Sequence, residues 1–378
     1  MRFPIRINIP RKTDVLIYDR VGSEFILKAL GKSFRWGILD VRRTIINLHP
    51  VVLFRLLPIV IQKVFSTQRI WRALTLRGAF ELAEIRTIKP KVVITFIDNS
   101  RRFSQLSRIC SSATFIGVQN GLRGIEVADM AHYLCLTNFF CFGQDTVKRY
   151  KAEGCIVNRF IVGGSLKDGL YRQQVETPLE KIYDFCWVSQ YRPARFEKTM
   201  LGLRQNSLQL LSYIQRFCTT YGKTLAIACS CKENQFPFEY RFLLSILNLT
   251  NVHLVPNDEN QFSSYKVIDQ SKVTLTTSST LGFEALSRGN KVLFCNFTND
   301  EYYDVPSGYA DGIWSLRGDN IDYEKVVDTL SKIYLLDEEE WNRQVQEMAQ
   351  YFVYADKSEL PQTVLKSEVS KVLSHARS

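Results

Sequence analysis

Apolar residues in this chain fall into short β-branched runs separated by helical patterns, and the cycle occurs twice. Val15-Leu16-Ile17-Tyr18 reads as a first buried strand, with a helix from about Ser23 to Leu30 behind it. Gly37 to Asp40 predicts a second strand, and Arg43 to Lys89 reads as largely helical, in two or more pieces. Lys91 to Ile97 is a near-continuous apolar run, the mark of a parallel strand buried on both faces. Thr114–Val118, Cys135–Phe142 and Arg159–Val162 supply further strands, with a helix over Gln144–Glu153 before the last. The cycle restarts at Tyr183–Val188. A helix over about Glu197–Tyr221 follows, then strands at 224–228, 252–255, 272–276 and 291–295, with a helix ending near Ser287. Three helical patterns close the chain, near 322–335, 337–353 and 361–375.

This alternation predicts the α/β class with two doubly wound, Rossmann-like parallel-sheet domains. Residues 1–170 form the first and 180–360 the second, with 361–378 a terminal helix packing back on the first. The boundary is expected in the polar stretch Asp168–Lys181. Doubly wound sheets bind ligands beyond the carboxyl ends of their strands, where the strand order reverses. The strand-end loops are therefore expected to line a cleft.

Composition sharpens the picture in three ways. At 378 residues and 46% hydrophobic content, the chain has material for two cores and none of the marks of disorder. Its net charge of +11 lies wholly in residues 1–100, which hold 18 Lys and Arg against 7 Asp and Glu. Such a face attracts anions. No zinc-finger, RNP or basic-zipper pattern accompanies it, so nucleic acid is not the expected partner. An apolar helical segment beside a basic face fits peripheral contact with an anionic membrane leaflet, or else a solvated face over a core helix. That segment, Ile45–Val64, contains Arg55, Lys63 and two prolines and does not read as a spanning helix. No apolar region follows the basic start at Arg2, Arg6, Arg11 and Lys12, so a secretory signal is not expected. The nine cysteines form no CxxC pair and read as reduced thiols, in keeping with a cytoplasmic location.

Chemistry concentrates in a few strand-end segments. Thr276-Thr277-Ser278-Ser279-Thr280-Leu281-Gly282-Phe283-Glu284 follows a strand and opens a helix. Its hydroxyls at Ser278, Ser279 and Thr280 cap the helix, and the exposed amides there favour a diphosphate. Gly282 permits close backbone approach, and Glu284 is placed to accept hydrogen bonds from ribose hydroxyls. The alternative is a helix capped for stability alone.

This stretch resembles the donor-binding helix of GT-B glycosyltransferases. The chain more closely resembles bacterial surface carbohydrate biosynthesis proteins, through four further segments. They are Ile17–Glu24, Ile38–Arg42, Phe115–Gly124, and Phe142-Gly143 with Val162–Lys167. The resemblance implies a GT-B enzyme whose second domain holds a nucleotide sugar and whose first faces a glycan or lipid-linked acceptor. Related transferases often carry a His where Asn120 stands, which argues against a His base there.

Within that frame, Gln119, Asn120, Gly121 and Arg123 end a strand of the first domain, with Arg123 able to hold a carboxylate or phosphate. Arg20, Gly22 and Ser23 form a loop facing the acceptor. Asp98 is the preferred catalytic carboxylate, with Glu126 and Asp19 behind it; Asp98 reads equally well as the N-cap of the next helix. Ser189, Gln190 and Arg192 end the first strand of the second domain and, with Lys232, are suited to phosphate or sugar contacts.

No DxD triplet occurs, and no His or Cys spacing suits a metal, so metal independence is expected, with no cofactor. GxGxxG, GxxxxGK[ST] and GxSxG are also missing, which argues against dinucleotide oxidoreductases, P-loop kinases and α/β-hydrolases. Sugar transfer is the leading function. A nucleotide-sugar 2-epimerase, a polyol-phosphate transferase or a non-catalytic component of a glycan assembly complex remain alternatives on the same fold.

Overall fold

A computed structural model describes residues 5–42, 46–124, 126–175, 177–193, 200–298, 300–306, 308–356 and 358–375. The chain divides into two compact units. The first comprises Met1–Leu170 and Tyr354–Ser378, and the second Tyr171–Val353. The change of unit falls inside a helix, Leu166–Gln174, which occupies part of the stretch expected to be a polar boundary.

In the first unit β1 (Ile5–Arg6) pairs in parallel with β4 (Ile46–Asn47) as a small separate ladder. The main sheet contains β2 (Val15–Ile17), β3 (Trp36–Ile38), β5 (Val92–Thr95), β6 (Thr114–Val118), β7 (Cys135–Cys141) and β8 (Ile156–Val162). All six are parallel, in the order β3-β2-β5-β6-β7-β8. Strand order reverses between β2 and β5. Both are fully buried, as their unbroken apolar runs require. On one side Leu16, Val93 and Phe115 pack with Phe103 and Leu82 from the flanking helices.

The second unit has β9 (Tyr183–Val188), β10 (Leu225–Ala228), β11 (Val252–Val255), β12 (Ser271–Thr276), β13 (Lys291–Asn296) and β14 (Ser315–Arg317). They are again all parallel, in the order β11-β10-β9-β12-β13-β14. Here the reversal lies between β9 and β12. Two doubly wound six-stranded sheets are the expected GT-B fold class.

Several boundaries differ from the sequence expectation. The span read as helical from Arg43 includes strand β4 before helices Pro50–Phe65, Arg69–Arg72 and Leu76–Ile88; Arg43–Ile45 lie outside the described residues. Thr75 caps the last of these, its hydroxyl accepting from the Gly78 amide. The helix expected from Glu197 is described from Leu201 to Thr220, with 194–199 outside the described residues. Arg2 and 376–378 lie outside them as well. Helices Phe236–Leu244 and Ser263–Asp269 and strand β14 carried too few periodic positions to be read.

After Val353 the chain re-enters the first unit, where the Tyr354 amide donates to the Phe142 carbonyl. Helix Pro361–His375 then packs on helix Ser23–Leu30 and on β5. Gly164 makes room for this return. Its φ is 83°, and a Cβ there would run into the Tyr354 carbonyl. Among the described residues, no helix is long and apolar enough to cross a membrane. All nine cysteines are free thiols, seven of them buried.

Candidate functional site

In the second unit the reversal point brings two predicted segments into direct contact. Gln190 lies just beyond β9 and Ser278 just beyond β12. The Gln190 side-chain oxygen accepts from the Ser278 amide at 3.0 Å, and its Nε2 lies 3.5 Å from the Ser278 hydroxyl. Ser279 is the N-cap of helix Thr280–Ser287, its hydroxyl accepting from the Leu281 amide. The Ser279 amide donates to Thr276 Oγ1. Ser189 is buried and accepts from the Tyr191 amide. These bonds fix a helix start whose dipole favours an anion.

Other predicted residues have different neighbours. Glu284 is buried, and its carboxylate accepts from the Tyr265 hydroxyl at 2.8 Å. Gly282 allows the helix to approach the sheet, because a Cβ there would stand 2.7 Å from Thr276 Cγ2. Arg192 donates to the Ser230 hydroxyl. Lys232 pairs with Glu259. Sequence reading missed Asn206, which is buried and ties the switch loop together. Its Nδ2 donates to Thr277 Oγ1 at 2.7 Å and to the Cys295 carbonyl, while its Oδ1 accepts from the Phe297 amide. The signal was present: Asn206 interrupts an otherwise apolar helix face of Leu203, Leu210 and Ile214.

In the first unit Asp19 follows β2 at the reversal point. Its carboxylate accepts from the Val21 amide at 3.0 Å and from Arg42 Nε at 2.7 Å. Arg20 pairs with Asp40 at 3.3 Å. Gly22 caps helix Ser23–Leu30 with φ 75°, a left-handed conformation, and Phe96 leaves no space for a Cβ. The Ser23 amide donates to the Arg20 carbonyl, closing the turn.

Asp98 follows β5 and is fully buried. It holds Arg123 with two contacts, Nη2 to Oδ1 at 2.6 Å and Nε to Oδ2 at 3.3 Å. The same Arg123 Nη2 donates to Asn120 Oδ1 at 2.6 Å. Burial pushes the Asp98 carboxyl up from its ordinary value, against the pull of Arg123. Asp98 does not cap the next helix; Ser100 does, its hydroxyl accepting from the Phe103 amide. Gln119 is also buried and acts as a bracket. Its oxygen accepts from the Phe142 amide and the Thr146 hydroxyl, and its Nε2 donates to the Gly121 carbonyl. Glu126 is exposed at a helix start and accepts from the Gly124 amide.

Beside Asp19 opens a groove of about 1350 Å³, formed wholly by residues of the first unit. Its wall includes Tyr18, Arg42, Asn99, Gln105 and Tyr133. Asp98 does not line it, although its neighbours Ile97 and Asn99 do.

Comparison with known proteins places these features in context. Residues 116–366 match a family model described as "putative O-antigen biosynthesis protein". No curated protein matches the sequence significantly. Among solved structures, Staphylococcus aureus MnaA bound to UDP superposes with a TM-score of 0.57 at 14% identity, covering 100% of this chain and 97% of that one. A UDP-N-acetylglucosamine 2-epimerase gives 0.55 at 15% identity, covering 97% and 96%. The wall teichoic acid polymerase TagF, as an H548A variant, gives 0.54 at 10% identity, covering 97% and 90%. At these identities the likeness is one of fold.

Proposed function

The chain belongs to the O-antigen biosynthesis protein family, and from that premise we propose that it is a GT-B glycosyltransferase acting in surface carbohydrate assembly. It moves a sugar from a nucleotide-activated donor to a glycan or lipid-linked acceptor. The observation that carries this reading is the Gln190–Ser278 junction at the reversal point of the second sheet. There a helix start directs its positive dipole to the place where doubly wound sheets bind ligands, which suits the donor diphosphate. The same dipole stabilises the nucleoside diphosphate as it leaves, in keeping with metal-independent transfer.

Of the three candidate carboxylates, Asp19 is the one assigned as general base, because it borders the open groove. Asp98 is a positioning residue, both its oxygens being occupied by Arg123. Glu126 holds the Gly124 amide and shapes that loop. Incubating the protein with CMP-, UDP- and GDP-sugars tests the assignment by donor binding and slow hydrolysis. A folded protein that binds none of them defeats it.

A second reading, nucleotide-sugar 2-epimerisation, is favoured by the fold shared with an epimerase over nearly the whole chain. NMR of the products separates the two. An epimer released without any acceptor establishes the epimerase and removes the transferase.

We also propose peripheral contact with an anionic membrane. Helix Pro50–Phe65 leaves Phe54, Leu57, Ile61, Val64 and Phe65 exposed along one stripe, with Phe54 at 75% and Phe65 at 79%. Such a stripe on a basic unit suits the interface of an anionic bilayer. Sedimentation with anionic vesicles is expected to weaken with salt and with Phe54→Ser/Leu57→Ser. Equal partition onto neutral vesicles removes the electrostatic part.

A further inference from the structure

The groove of the first unit has a charge that neither the sheet nor the helices around it require. Six arginines line it: Arg42, Arg69, Arg77, Arg101, Arg102 and Arg108. Among the described residues Asp19 is the one carboxylate in the lining, and Arg42 already holds it. A second carboxylate, Glu81, lies buried beneath. It is shared between Arg102 at 2.7 Å and Arg77 at 3.4 Å, and it also accepts from the Tyr18 hydroxyl. Among the described residues, Asp19 and Glu81 are the carboxylates that pair with Arg42, Arg77 and Arg102 of this set. Arg69, Arg101 and Arg108 are exposed at the groove, and Arg101 lies over the Tyr133 ring at 4.8 Å.

The helices make the imbalance sharper. Helix Leu76–Ile88 carries Arg77 in its first turn, and helix Arg101–Ile109 begins with Arg101-Arg102. Neither has an acidic residue in that turn. The positive end of a helix dipole favours Asp or Glu there and disfavours cations. Both starts line the same groove, through Thr75 and Arg77 on one side and Ser100, Arg101 and Arg102 on the other. Two helix starts and six arginines therefore add fields of one sign in one place. Local rules broken together in this way mark a functional site, where a ligand supplies what the chain leaves out.

We propose that this groove binds a phosphate-bearing anion of the diphosphate or phosphodiester class. Guanidinium forks match phosphate oxygens in pairs, and the space exceeds one phosphate, leaving room for an attached sugar or polyol. Asn99, Gln105 and Tyr133 supply hydrogen-bonding groups for that part. Naming this ligand as the acceptor rests on the transferase reading, because Asp19 then stands beside the acceptor hydroxyl. The binding itself does not rest on that reading.

The test is calorimetric titration of the full chain with inorganic pyrophosphate and, separately, with farnesyl diphosphate, at low and physiological salt. Arg69→Ala/Arg108→Ala removes two exposed arginines without touching Glu81 or Asp19. It should weaken binding about ten-fold or more and flatten the salt dependence. Arg69→Lys/Arg108→Lys keeps the charge, loses the fork and should fall between. Each titration is repeated with saturating UDP, which occupies the diphosphate site proposed at the Gln190–Ser278 junction of the other unit and should leave this binding unchanged. Comparable affinity for both probes assigns the site to a free phosphorylated ligand; tighter binding of farnesyl diphosphate assigns it to a lipid-borne one. The proposal fails if neither probe binds, or if the double alanine variant binds both as tightly as the parent chain. Retained pyrophosphate binding in a protein that turns over no nucleotide sugar leaves the site standing and removes only the acceptor assignment.

Discussion

Gln190 and Ser278, 88 positions apart, are joined by a hydrogen bond from the Ser278 amide to the Gln190 side-chain oxygen. One side chain thereby sets the spacing of the two loops that flank the reversal of strand order. The neutral amide oxygen satisfies one donor of the helix start without adding negative charge there.

Replacing Gln190 by Ala is expected to loosen this junction and weaken UDP binding about ten-fold, the order of one hydrogen bond with its positioning effect. Gln190→Glu should be worse, because a carboxylate would repel the diphosphate. Titration of both variants with UDP checks this, and parent-like affinity in the Glu variant would show that the phosphate sits elsewhere.

The Asp98–Arg123 pair makes a separate prediction about stability. Removing the acid leaves Arg123, only 19% exposed, without its charge partner. Asp98→Ala should therefore cost about 3 kcal/mol. Asp98→Asn keeps the shape and should recover part of it. Denaturant melts of the two variants measure the difference. A silent Asp98→Ala would mean that Asn120 alone holds the arginine.

At the opposite end of β9, Asp184 gives a pH signature. Burial pushes its carboxyl up, but hydrogen bonds from Tyr334, Thr224 and Lys272 outweigh this and hold it at about 2. A depressed folded-state value contributes stability above the unfolded value of about 4, lost as pH falls towards 2. Solvent screening of this partly exposed group reduces the full effect to about 1 kcal/mol. Melting curves between pH 5 and 2 should fall less steeply for Asp184→Asn than for the parent chain. Parallel curves would remove Asp184 from the acid transition.

The cysteines predict a labelling pattern. Burial pushes the Cys141 and Cys186 thiols up to about 12, well away from the reactive thiolate. In the native state only the half-buried Cys135 and Cys155 should react with a thiol reagent, and slowly, because burial pushes these two thiols up as well. All nine should react in denaturant. Fast native labelling of seven or more would signal that the cores open easily.

The doubly wound sheets were legible because buried parallel strands such as Val92–Thr95 and Lys291–Asn296 leave unbroken apolar runs. Cap chemistry located helix Thr280–Ser287 in the same way. What stayed hidden depends on contacts remote in sequence. Nothing local to Asp98 announces that Arg123 holds it, and the N-cap role fell to Ser100, two residues on. The arginine groove escaped because its members come from separate elements between Arg42 and Arg108, so no single window shows them together. Charge counting found the excess in residues 1–100 but could not assign it to a concave wall.

The first unit is threaded discontinuously: residues 354–375 complete a core that begins with β2, whereas 171–353 are one uninterrupted stretch. During synthesis the second unit can therefore reach its native topology while the first still waits for its closing helix. Until Tyr354 docks on Phe142 beside Gly164, helix Ser23–Leu30 lacks the part of its cover that helix Pro361–His375 supplies. Loss of the last helix is thus a lesion of the domain made first, and its cost would surface as aggregation of nascent chains more than as a change in the second unit.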